Sequence, residues 1–181
     1  PRFVGGEKGE LTIVINLAHA VHFGRTVDDR LLSILGVVAH EVFHAAFGAY
    51  KETSPQWKRY YSAHATAFDG LLDLTQNEGI AYYLSLDQQG GGFLPEGWNE
   101  RMIEVFKTFN GKAHDLLSPT LTARSADEII RDANLSGYWE SYGSMTGMFI
   151  ARSIDEELGR KALIETIAAG PGDFFRKYIS V

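Results

Sequence analysis

The sequence predicts an α+β fold class, predominantly helical, with a small N-terminal sheet, and three observations predict it. One run, "ELTIVINLA" at 10–18, is rich in β-branched residues and follows the flexible "VGGEKGE", so it reads as a strand. The rest of the chain spaces its apolar residues at helical intervals. Glycine and proline fall mainly between those stretches, as connections require.

Each helix can be justified in order. Asp28 can cap a helix from Asp29 through 48, with Gly48 as its stop. Pro55 opens a second helical region that runs to about 87, with an interruption near Gly70. "QQGGGFLPEG", 88–97, is a loop, and a third helix spans 98–117. After Pro119, Ser125 and Glu128 form a capping-box pattern that starts a short helix. "YWESYGSMTGMFIARSIDEELG", 138–159, is a long amphipathic helix ending at Gly159, and helices over 160–169 and 173–180 flank "AGPGD". No repeat or linker divides the chain, so 1–181 is read as a single domain with room for a substantial core. It begins at Pro1 without a methionine, which is expected of a processed or trimmed end.

Composition excludes several classes. A net charge of -6 and no basic group larger than "WKRYY" argue against a nucleic-acid partner, since phosphate backbones are held by clustered Lys and Arg. The absence of cysteine removes disulfides, a thiol nucleophile and thiolate metal ligands. No uninterrupted apolar run approaches the ~18 residues of a membrane span, so none is expected. Oligomeric state is not set by anything in the sequence.

The chemistry concentrates in "VVAHEVFHAAFG", 37–48. His40 and His44 stand one turn apart on one helix face, where two imidazole nitrogens can reach one metal ion. Glu41 lies about 100° round the helix, placed to touch a metal-bound water without ligating the metal. Neutral imidazoles leave a zinc ion's charge uncancelled, and the carboxylate accepts the proton of the water that zinc acidifies. With 6 histidines in 181 residues, His-Glu-x-x-His arises by chance about 0.01 times per chain. The bland alternative is two packed core histidines. Desolvating them among Val37, Val38, Val42, Phe43 and Phe47 carries a cost that a metal would offset. For a third ligand the next helical region offers Glu78, Asp69 and Asp73. Glu78 stands directly before the apolar "GIAYYL", and Gly79 and Ala81 would let this helix approach the first closely.

"HEVFH", "NEGIAYYL" and "YGSMTGMFIARSIDEELGRKAL" together resemble the gluzincin side of the zinc metallopeptidases, and more narrowly the bacterial zinc-dependent peptidases that share these blocks over 11–180. The resemblance implies a zincin-like fold and one Zn2+ held by His40, His44 and Glu78. It further implies Glu41 as general base, a peptide or protein substrate, and a lean toward an exported protein. The metzincin register fails, because Phe47 and Tyr50 occupy its glycine and third-ligand positions and Gly48 is one place out. Where many gluzincins carry an aspartate one turn after the ligand glutamate, this chain has Tyr82, whose phenol can accept an imidazole N–H or donate to a carboxylate. Asn77 is another group that could orient a ligand. Tyr142, between "S" and "GSMTG", is the candidate donor to the oxyanion, with Tyr138 next. An edge strand at 13–17 could pair with an extended substrate; an interior strand is the equal alternative. His64 lies ~21 Å along a continuous helix from Glu78, and His19, His22 and His114 lack partners in sequence. The alternatives to a peptidase are a zinc hydrolase of a non-peptide amide or ester, and an inactive metal- or partner-binding module.

Overall fold

In a computed structural model that describes residues 2–5, 11–14, 24–88, 94 and 96–181, helices carry the fold. They are α1 (Val27–Thr53), α2 (Pro55–Ala63), α3 (Ala67–Gln88), α4 (Trp98–Leu116), α5 (Ala123–Leu135), α6 (Tyr142–Leu158), α7 (Arg160–Ala169) and α8 (Pro171–Ile179). The α+β class with a small N-terminal zincin-like sheet is therefore corrected. Among the described residues, β-structure is confined to a hairpin of β1 (Arg2–Gly5) and β2 (Leu11–Val14), paired antiparallel with Phe3 opposite Ile13. Two four-residue strands cannot form a layer on which helices bury a face, so the helices bury against one another. Of the anticipated strand over 10–18 only 11–14 is seen, and 15–18 lie outside the described residues.

Helix boundaries differ from the sequence reading for local reasons. Thr26, not Asp28, caps α1: its side chain accepts from the Asp29 N–H at 3.1 Å while the Asp29 carboxylate accepts from the Thr26 N–H at 2.9 Å. Gly48 does not end the helix, which continues to Thr53. The stop is Ser54, held extended (φ -71°, ψ 120°) by the proline after it, and its hydroxyl then caps α2. The break before α3 falls at 64–66 rather than at Gly70, which lies within α3. Thr122, not Ser125, caps α5. The long helix begins at Tyr142, four residues later than its apolar pattern, because 137–141 form the turn that leads into it.

α6 is the axis of the core, with Tyr142 through Met148 buried without interruption. α3 runs beside it in the same direction, so near that a Cβ on Gly147 would strike the Thr75 carbonyl oxygen and a Cβ on Gly79 would strike the Gly147 backbone. One apolar cluster joins α3, α4, α5 and α6 through Leu71, Met102, Val105, Ile129 and Met145. A second joins α3, α6, α7 and α8 through Ile80, Ile150, Ile154, Leu163 and Phe174. α1 packs on α3 at the edge of this core, with Phe43 against the second cluster, and its outward stripe of Val27, Leu31, Leu35 and Val42 is exposed. By length and composition alone α1, which holds an 18-residue window of mean hydropathy 1.6, could cross a membrane, which qualifies the expectation of no span. A span would place His40, Glu41 and His44 at hydrocarbon depth, a costly position for ionisable groups.

Candidate metal centre

α1 and α3 pack antiparallel, and their facing residues build the site. His40, His44, Phe47 and Lys51 recur at helical spacing along one face of α1. α3 answers with Tyr82 against His40, Asn77 and Glu78 against His44, and Asp73 against Lys51. The His40 and His44 Nε2 atoms are 2.9 Å apart, and Glu78 Oε2 lies 3.6 Å from the first and 3.4 Å from the second. One ligand atom from each residue falls within a 4.8 Å group. Tetrahedral ligands on bonds of about 2.0–2.1 Å sit about 3.3 Å from one another, so the three separations bracket the edge of a zinc site. The side chains are 15–20% exposed, which leaves one side of the cluster open.

A protein-family profile described as "putative zinc dependent peptidase" matches residues 4–181. The chain belongs to this family, DUF5700. No curated protein and no solved structure matches the chain. Zinc is thus the ion to set against these donors, and in this DUF5700 chain two imidazoles and a carboxylate fit it in type, number and spacing.

The surroundings orient and polarise these candidate ligands. His44 Nδ1 donates to Asn77 Oδ1 at 3.2 Å, so when the ring is neutral its proton sits on Nδ1 and Nε2 presents a lone pair to the cluster. Asn77 rather than Tyr82 therefore makes the orienting hydrogen bond. Tyr82 instead sets its ring edge-to-face on His40, with centroids 4.8 Å apart. Burial pushes the Glu78 carboxyl up, but hydrogen bonds from His40 and His44 outweigh it and hold the group at about 2. Burial pushes His44 down, but the Glu78 carboxylate, Asn77 and the field of Glu41 raise it above its ordinary value. Burial and then the carboxylates of Glu78 and Glu41 push the Tyr82 phenol up, so it keeps its proton. Glu41 is half-buried on α1, near enough for its field to reach both His44 and Tyr82.

The other acids on α3 are occupied. Asp69 closes a capping box with Thr66 and accepts from His64 at 3.2 Å. Asp73 pairs with Lys51 through one oxygen and accepts the Tyr61 hydroxyl on the other at 2.8 Å. Tyr142 opens α6 as anticipated but is not brought to the cluster: it is buried, and its hydroxyl donates to the Ile129 carbonyl at 2.5 Å. Tyr138 stands nearer, its ring 6.5 Å from that of Tyr82. His64 stacks on Tyr60 away from the cluster and His114 lies in the last turn of α4; His19 and His22 lie outside the described residues. Lys51 and Tyr61 were not singled out by the sequence. The available signal was that Lys51 follows His44 by seven residues and so shares its face.

Proposed function

We propose that the chain is a gluzincin-type zinc metallopeptidase, a single domain whose ion is held by His40, His44 and Glu78 and whose general base is Glu41. The observation that carries this reading is the meeting of three ligand atoms within 4.8 Å across α1 and α3, in a family described as zinc dependent. Zinc, when bound, supplies the positive charge that acidifies a water and polarises the substrate carbonyl. Glu41 accepts the proton that the attacking water loses and returns it to the departing amine. Asn77 keeps His44 in the tautomer that ligates. The Tyr82 hydroxyl makes no hydrogen bond among the described residues, remains protonated and faces the fields of Glu78 and Glu41. On this reading it donates to the developing oxyanion in place of Tyr142, whose hydroxyl is bonded to the Ile129 carbonyl.

The test is hydrolysis of a peptide library by the zinc-loaded protein and two variants. Glu41→Gln is expected to retain zinc and lose about 10²- to 10⁴-fold in kcat. Tyr82→Phe is expected to retain zinc and lose about 10²-fold in kcat with KM little changed. Peptide cleavage by Glu41→Gln at the wild-type rate would contradict the assignment.

A further inference from the structure

Away from the histidines, α1 and α3 also meet in a polar contact that is nearly dry. The Lys51 ammonium pairs with Asp73, with side chains only 11% and 19% exposed. It also lies over the rings of Phe47 and Trp57, at 4.3 and 4.6 Å from their centroids. Trp57 is itself fixed, being 1% exposed with its indole N–H donating to the Ile167 carbonyl at 2.8 Å. Tyr61 of α2 donates to the free oxygen of Asp73 at 2.8 Å, so α1, α2 and α3 converge on one carboxylate. Burial lowers the Lys51 pKa while Asp73 and the more distant Glu78 raise it, which places Lys51 within the field of the metal centre.

We infer that Lys51, held by Asp73 and Tyr61, is a positioning residue for the metal centre, fixing the register at which α3 presents Glu78 to His40 and His44. The inference rests on the zinc reading above. A nearly buried ion pair is a poor source of net stability, because desolvation offsets most of its attraction and apolar side chains in the same space hold helices as well. It does penalise every other register, since sliding α3 along α1 leaves both charges unmatched away from water. Lys51 lies two turns beyond His44 on the same face, and Asp73 lies five residues before Glu78 on an antiparallel helix. One register therefore satisfies the ion pair and the ligand set together. The same contact keeps the Asp73 carboxylate engaged, which leaves Glu78 as the acid that faces the histidines.

The experiment measures zinc affinity by chelator competition in wild type, Lys51→Arg and the neutral pair Lys51→Met/Asp73→Asn. Melting of the metal-free proteins and the visible absorption of bound cobalt(II) are read alongside. The neutral pair keeps the lysine stem on the rings and an acceptor for Tyr61. Its metal-free melting temperature is expected to stay within a few degrees of wild type, while zinc binds about ten- to a hundred-fold more weakly and the cobalt bands shift. Lys51→Arg is expected to bind more tightly than the neutral pair. Zinc binding by the neutral pair at wild-type strength, or a loss that merely follows lost helix, would overturn the inference. Should the neutral pair not fold, Tyr61→Phe decides: removing that hydroxyl is expected to weaken zinc about threefold, and unchanged affinity overturns the inference. A wild type that binds no zinc would remove the zinc reading itself, whereas tight binding in both wild type and the neutral pair removes only the role of Lys51.

Discussion

His44 works through two nitrogens, one donating to Asn77 and the other facing His40 and Glu78. A proton and a metal ion compete for the second, so pH decides which is held. His44 is raised above 6.5, and a ligating imidazole must be neutral. Zinc affinity should therefore begin to fall at a pH above 6.5 as the solution is acidified, by about tenfold per unit once His44 is protonated. Titrating zinc against a chelator at several pH values reads this directly. The chelated protein should behave differently. The raised His44 contributes stability below 6.5 that is lost as pH rises through its folded value. The lowered Glu78 contributes above 4.5 and loses its share as pH falls toward about 2. Melting in chelator should show this pair's contribution greatest between 4.5 and 6.5. The motif residues were legible at this scale because a four-residue spacing on a helix translates directly into shared position. The Tyr142 contact to the Ile129 carbonyl was not legible, because sequence shows that a tyrosine opens a helix but not which carbonyl its hydroxyl will reach.

At the scale of elements, the site depends on how closely α3 can approach its neighbours. Gly79 follows Glu78 and meets Gly147 of α6 backbone to backbone. Gly147→Ala should force these helices apart and destabilise the protein by about 3 kcal/mol or more, with weaker zinc binding as Glu78 moves. Thr26→Ala offers the contrast. It removes the cap of α1 far along the chain from His40, and should cost about 1 kcal/mol while leaving zinc affinity unchanged. Thermal melting with and without metal checks both. The small residues beside Glu78 were visible in sequence, but the helix that Gly79 admits is α6, not α1, because spacing along one helix does not name the helix it will meet. Stops were similarly ambiguous. Gly48 looked like an end, yet nothing lies within 4 Å of where its Cβ would be, and Ser54 before Pro55 ended α1 instead.

At the scale of the molecule, the core belongs to α3, α4, α5, α6, α7 and α8, and the candidate centre sits at its edge where α1 crosses α3. The helical content was legible from apolar spacing. The sheet was not, because a β-branched run reads the same whether it joins a layer or a single hairpin. That arrangement makes zinc a strut as well as a cofactor: it would tie α1, which contributes little to the core clusters, to α3. Binding linked to the folded state should raise stability by about 2.7 kcal/mol at a free zinc concentration a hundredfold above Kd. The most direct measurement is elemental analysis of the purified protein together with His44→Ala and Glu78→Ala. One equivalent of zinc in the wild type, lost in both variants, is the predicted result. A wild type that takes up no zinc when it is supplied, or a Glu78→Ala protein that keeps its full equivalent, would contradict the centre described for His40, His44 and Glu78.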